Sequence, residues 1–278
     1  MGKVCRDRAP LQRPFLVCAP KAGAPKPDIA SCRSTCERAC ALLFSNEYEP
    51  MSARPTILFD LDGTLADTAA DLCETLNVIL ERHGRDRVPE GDVRGLVGGG
   101  ARVLLERGFE RTGAPASNEK LDRLFAEFIE HYSAHSSDRT QLFPGVRDEL
   151  ERLQAAGWLM AVCTNKIEEL THPLLKALQI DHYFPVVIGG DTLPVKKPDP
   201  EHLWEAVRRL GGETDHAVMI GDSETDTAAA ENAGLPCICV TFGYRRVALE
   251  DLKVEALIES YAELPAALTR LPRFAALA

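Results

Sequence analysis

From Thr56 onward, short apolar runs alternate with segments whose apolar residues recur at helical spacing. Thr56–Phe59, Trp158–Cys163, Val186–Ile188, His216–Ile220 and Pro236–Val240 are brief and largely unbroken apolar runs. Runs of this kind predict strands covered on both faces. Between them, residues 145–156, 167–178, 200–210 and 224–233 predict helices; Leu150, Leu153 and Gln154 illustrate the spacing, and Gly157 supplies a C-terminal stop. Strand–helix alternation predicts an α/β fold, a doubly wound parallel sheet of Rossmann-like form.

One stretch breaks the rhythm. Residues 67–140 hold no good strand but several amphipathic segments. Leu72, Leu76, Ile79 and Leu80 form one stripe, Leu121, Leu124, Phe125 and Phe128 another, and Val103, Leu104 and Leu105 follow Gly98-Gly99-Gly100. The pattern predicts an all-helical insert directly after the first strand. Residues 51–66 and 141–278 then make up the α/β core.

Composition adds a boundary near residue 50. Residues 1–50 carry eight Lys/Arg against five Asp/Glu, a balance of +3, which leaves −13 on the remainder of a chain with net charge −10. That segment is proline- and alanine-rich, has little periodicity, and lacks the continuous apolar stretch of a secretory signal. Met51 is followed almost at once by the first strand. Residues 1–50 are therefore expected to be a disordered extension or a start-site artefact, with Met51 as the true start. Five of the nine cysteines lie in this segment. Cys32, Cys36 and Cys40 would line one helix face, but no histidine accompanies them, and an accidental cluster competes with a metal site. Cys163, Cys237 and Cys239 sit in apolar runs as small hydrophobes, the usage of a reduced, cytoplasmic protein. The acidic charge argues against nucleic acid or anionic membranes as partners, and no apolar run approaches the ~20 residues of a membrane span. A monomer or homodimer is expected.

Four segments join apolar runs to polar chemistry: Asp60-Leu61-Asp62-Gly63-Thr64, Thr164-Asn165-Lys166, Lys196-Lys197-Pro198, and Gly221-Asp222 through Asp226. Ligands of an open parallel sheet bind beyond the carboxyl ends of its strands, so all four can meet in one crevice. Asp60, Asp62, Asp222 and Asp226 would repel one another there unless a cation neutralised them. Hard oxygen ligands without histidine or cysteine select Mg2+. Lys197 and Thr164 offer a cation and a hydroxyl to a phosphate, a set suited to phosphoryl transfer. Asp60, at the strand end, can act as nucleophile, and Asp62 can protonate the leaving oxygen and then activate water. Gly63 permits the tight path that brings amides towards the phosphate.

These four segments, in this order, resemble the motifs of the haloacid dehalogenase-like hydrolase superfamily. The resemblance covers about Pro55 to Tyr244 and implies that Asp60 is the nucleophile, Asp62 the acid/base, and Thr164 and Lys197 the phosphoryl binders. It implies Mg2+ held by Asp60, the Asp62 backbone carbonyl and Asp222, with Asp226 supporting. It also implies that the insert, 67–140, is a cap that closes over substrate. Phe59–Leu65, Val97–Ala101, Phe143–Val146, Thr164–Lys166 and above all Gly189–Pro200 are similar to bacterial phosphoglycolate phosphatases, although Gly99 replaces a residue more often polar there. The implied reaction is hydrolysis of a small phosphorylated metabolite, 2-phosphoglycolate, with Asn165 and the loop Gly98, Gly99 and Gly100 among the substrate-binding residues.

Alternatives remain. Gly98–Gly100 also fits a flexible link between helices, and Arg102 and Lys166 fit either a substrate carboxylate or solvated surface charge. A dehalogenase does not need the acid that Asp62 provides, and a phosphonate hydrolase would need a lysine in the insert, which offers only Lys120. A phosphosugar mutase shares every core residue, and a phosphatase of another small metabolite fits equally. A non-catalytic binding module would not need all four segments intact.

Overall fold

The computed structural model describes residues 54–277. The expected extension over 1–50, the Met51 start and the Cys32, Cys36 and Cys40 row lie outside those residues. A six-stranded, all-parallel sheet forms the core. Its strands are β1 (Thr56–Phe59), β4 (Leu159–Cys163), β5 (Val186–Ile188), β6 (Ala217–Gly221), β7 (Cys237–Val240) and β8 (Ala256–Ile258), in the spatial order β5-β4-β1-β6-β7-β8. The expected doubly wound α/β fold is present. Thr56 faces Leu159 on one neighbour and Ala217 on the other, so the ends of β1, β4 and β6 reach one rim.

Each strand is apolar throughout because both faces are covered. Ile57, Phe59, Val162 and Ile220 pack against Leu150 and Leu153 of α5 (Val146–Ala155), Leu174 of α6 (Glu168–Ala177) and Leu268 of α9 (Leu264–Arg270). Leu58, Ala161 and Met219 point the other way. They meet Leu203 and Val207 of α7 (Glu201–Leu210) and Ala229 and Ala230 of α8 (Glu224–Ala233). Each such buried aliphatic side chain stabilises by roughly 1.5–3 kcal/mol. The small alanines of α8 let that helix lie close to the sheet.

Residues between the first and second core strands fold as helices: α1 (Ala69–Arg82), the short α2 (Glu90–Val93), α3 (Ala101–Arg111) and α4 (Asn118–His135). Leu72, Leu76, Leu104, Phe109, Leu124, Phe128 and Tyr132 build a separate apolar cluster, to which the core adds Leu170 and Tyr244. Buried Asn77 closes the loop after α1 by bonding both the Val88 amide, at 2.7 Å, and the Val88 carbonyl, at 2.9 Å. Where the chain leaves the core and returns to it, β2 (Ala66–Asp67) and β3 (Gln141–Leu142) pair antiparallel. Asp71, in the first turn of α1, accepts bonds from the Arg139 and Thr140 amides and the Thr140 hydroxyl, fixing that return. The pattern of the sequence did not reveal β2, β3, β8 or α9. Two-residue strands show no period, and β8 is an edge strand with Leu257 exposed. Among the described residues no helix is long and apolar enough to cross a membrane.

Candidate active site

The strand order reverses at β1, and Asp60 follows β1 at that switch point, where an open sheet leaves a crevice. Its amide donates to the Ile220 carbonyl of β6 at 2.9 Å, continuing the ladder one residue past the strand. Asp222 follows β6, and Asp226 lies in the first turn of α8. Asp60, Asp222 and Asp226 are all buried, each offering a carboxylate oxygen within 4.8 Å of the others'.

Lys197, in the loop after β5, is inserted among them. Its Nζ lies 3.0 Å from Asp60 Oδ1 and 2.6 Å from Asp226 Oδ1. Burial works against the Lys197 ammonium, but Asp226 and Asp60 outweigh it and raise its pKa. Burial pushes Asp60 up to about 7, Lys197 opposing and Asp226 and Asp62 adding to the shift. Asp222 is also raised, by burial first and then by Asp226 and Asp60. One lysine does not balance this much buried negative charge.

The donor set therefore has room for a cation. Asp60 Oδ1 is buried with no aligned hydrogen-bond donor. Asp222 accepts from the Thr64 hydroxyl at 3.2 Å and from the Tyr244 amide. Asp226 is more fully engaged: Oδ1 takes Lys197, while Oδ2 takes the Ser223 hydroxyl at 2.7 Å and the Ser223 and Asp222 amides, each at 3.2 Å. This caps α8 and leaves Asp226 holding the others in place. An all-carboxylate, hard-oxygen set carrying more negative charge than Lys197 neutralises fits Mg2+.

Gly63 makes the approach of these segments possible. Its φ is +86°, and a Cβ there would lie 2.4 Å from Asp222 Oδ2. Its own amide donates to the Ala66 carbonyl at 2.9 Å, so its contribution is the path of the backbone. Thr164 follows β4 with its amide on the Ile188 carbonyl at 2.9 Å. Its Oγ1 accepts from the Lys166 amide at 3.2 Å, leaving the hydroxyl proton to donate.

The second half of the site involves the helical region. Asn165 Nδ2 donates to the Gly98 carbonyl at 3.2 Å and to the Lys197 carbonyl at 3.1 Å, tying the glycine loop to the lysine loop. Lys196 Nζ holds the Gly99 carbonyl at 2.9 Å, and a Cβ on Gly100 would lie 2.8 Å from the Asn165 carbonyl oxygen. Gly98, Gly99 and Gly100 are thus docked on the second and third segments rather than free. Arg102 is turned towards Asp122 on the helical surface, away from the carboxylates.

Lys166 overturns its reading as solvated charge. It is 6% exposed, and its Nζ lies 3.0 and 3.1 Å from the two oxygens of Asp62. The Tyr132 ring covers it with its centroid 4.6 Å away. Burial disfavours the ammonium, but Asp62 and Tyr132 outweigh that and raise its pKa. His202, given no role from sequence, is buried with Nε2 3.1 Å from the Gly189 carbonyl, and burial lowers it to about 4. Neither residue carries a sequence signal beyond its type, because their partners lie far away along the chain.

This switch-point crevice, with its four carboxylates and its central lysine, defines a hydrolase class by geometry, and the pattern of the haloacid dehalogenase-like hydrolases matches residues 57–240. The chain belongs to that family. It is an enzyme, a hydrolase of phosphoric monoesters, similar over most of its length to bacterial phosphoglycolate phosphatases. It is 46% identical over 212 residues to phosphoglycolate phosphatase of Caulobacter vibrioides, spanning 76% of this chain and 90% of that one. A crystal structure of a predicted phosphoglycolate phosphatase from Haemophilus somnus superposes with a TM-score of 0.73 at 29% identity, covering 78% of this chain and 98% of the other. CbbY from Rhodobacter sphaeroides, solved in complex with phosphate, gives 0.66 at 28%, covering 77% and 99%.

Proposed function

We propose that the chain hydrolyses 2-phosphoglycolate to glycolate and phosphate through an aspartyl-phosphate on Asp60, with Mg2+ as cofactor. The observation that carries this reading is Asp60 itself, buried at the strand end, 3.0 Å from Lys197 and beside Asp222. An Asp60 oxygen attacks phosphorus, and the bond from phosphorus to the bridging oxygen breaks as Asp62 donates a proton to that oxygen. Glycolate leaves. Asp62, now a carboxylate, takes a proton from water, whose oxygen attacks the aspartyl-phosphate. The bond from phosphorus to Asp60 breaks, and phosphate is released.

Lys197 and the Thr164 hydroxyl hold the phosphoryl oxygens in line, so the residues supply position and charge. Asp60, the Asp62 backbone carbonyl and Asp222 would hold Mg2+, with Asp226 supporting, and the ion would offset charge on Asp60 and the phosphoryl oxygens. The helical region 67–140 acts as a cap, its glycine loop excluding water above Asp62. The similarity to the Caulobacter enzyme supports the choice of substrate. So does the cavity beside Asp62, which at about 30 Å3 has room for a short leaving group.

The test is phosphate release from a panel of monoesters by purified protein. 2-Phosphoglycolate should give the highest kcat/KM, EDTA should abolish turnover and added Mg2+ restore it. A sugar phosphate as best substrate, or isomerisation of glucose 1-phosphate, would replace this reading.

A further inference from the structure

Resting on the reading of a 2-phosphoglycolate phosphatase, we propose that Lys166 is the residue that recognises the substrate carboxylate. A lysine that is 6% exposed needs a reason for its burial, because removing an ammonium from water is costly unless it is matched. Asp62 matches it in part. The ammonium has three N–H donors, and among the described residues its hydrogen-bonding partners are the two oxygens of that one carboxylate. The Tyr132 ring covers another side at 4.6 Å, and its buried hydroxyl lies near enough to the ammonium to help hold it charged.

The surroundings give the ligand its size. Lys166 and Asp62 line a small, partly enclosed cavity of about 30 Å3 with Gly100, Phe128, Leu72 and Leu170. A water needs about 10–15 Å3 by this kind of measure, so the space admits two or three atoms. Its walls come from the helical region, from α6 and from the Asp62 loop, and its only cation is Lys166. The pocket is otherwise apolar, and its one cation, held by Asp62 on one side, can meet a small anion on the other.

Connectivity supplies the rest. Asp62 must reach the bridging oxygen to protonate it. In 2-phosphoglycolate the carboxylate carbon is two bonds from that oxygen. A group that touches both oxygens of Asp62 at 3.0 and 3.1 Å is therefore within reach of the carboxylate once the ester is in place. Lys196, by contrast, is engaged with the Gly99 carbonyl, and Arg102 with Asp122. Lys166 is the cation that meets both the acid/base and the leaving group.

A purely structural role, holding Asp62, makes a different prediction. The experiment compares kcat/KM for 2-phosphoglycolate and for ethyl phosphate, which carries a methyl group in place of the carboxylate, in wild type, Lys166→Met and Lys166→Arg. Any damage transmitted through Asp62 lowers both esters alike and cancels in their ratio. Loss of the carboxylate contact should reduce that ratio by about 30-fold in Lys166→Met, the worth of one buried charge-assisted hydrogen bond. Lys166→Arg should retain most of it. A ratio within about threefold of wild type in Lys166→Met overturns the assignment while leaving the substrate intact. A wild-type enzyme indifferent to the carboxylate overturns the substrate reading itself, and this assignment with it. Should Lys166→Met fail to fold, the wild-type protein decides through chain length. The phosphate ester of 3-hydroxypropionate, one methylene longer, should be slower by about tenfold or more, because its carboxylate is displaced from Lys166 when the phosphoryl group is held at Asp60. Equal rates for the two lengths overturn the proposal.

Discussion

Two buried lysines divide the site, and their surroundings differ. Lys197 lies at the sheet rim among Asp60 and Asp226, and every group around it comes from a segment that follows a core strand. Lys166 lies between the core and the helical region, against Asp62 on one side and Tyr132 of α4 on the other. The first half gathers three buried carboxylates around one lysine. The second half is assembled from parts of both the core and the helical region. On the proposed reading, chemistry is built into the sheet and selection into the seam.

The sharpest way to separate the halves is Asp60→Asn. Losing the nucleophile should lower kcat by at least ~10^4-fold for every ester alike, measured as steady-state phosphate release. Stability should not suffer, since a buried acid raised to about 7 is replaced by a neutral amide. Retained turnover would remove the covalent route.

Lys197→Met comes next. It strips the cation from Asp60 and Asp226 and should cost about 3–5 kcal/mol, read from urea denaturation without Mg2+. A change under about 1 kcal/mol would mean that the rim does not depend on the lysine.

A smaller effect concerns protons and metal. Asp60 and Asp222 are raised above the ordinary carboxylate range. Between 3.8 and about 7 the folded state keeps a proton on Asp60 that the unfolded chain has released. The stability due to that proton is complete at acid pH and is lost as pH rises through this window. A divalent ion replaces the proton, so Mg2+ should raise Tm more at pH 8 than at pH 5. At 100 times its Kd the gain should be about 2.7 kcal/mol. Equal shifts at the two pH values would dissociate these carboxylates from the ion. The smallest effect is a control on the helical surface. Arg102→Ala breaks an exposed pair with Asp122 and should change stability by less than about 1 kcal/mol and kcat/KM for 2-phosphoglycolate by less than about twofold.

The same division explains what could be read from the sequence. Asp60, Thr164 and Asp222 each follow an apolar run, and a parallel sheet brings the ends of such runs together, so the period of the chain already implied their meeting. Lys197 has no such marker, and its place followed from the motif around it. Lys166 was placed in the crevice by its segment, but whether it is buried or solvated could not be read. The burial of a lysine is decided by a carboxylate 104 residues away and by an aromatic ring on a separate helix. Neither leaves a local pattern. Tyr244 is similar: its amide bonds Asp222 while its hydroxyl bonds Asp67 and accepts the Ala69 amide at 2.9 Å, contacts that span the whole core. The helical stripes at Leu72–Leu80 and Leu121–Phe128 were legible because 3.6-residue spacing is local.

The two crossings between core and helices run side by side, Ala66 against Leu142. Topologically, everything between them is one long loop whose ends nearly touch. Such a segment can be replaced wholesale without rethreading the sheet. On the proposed reading, a chimaera carrying another family member's residues 67–140 would keep its catalytic engine and change its appetite, with Lys166 and Asn165 staying behind.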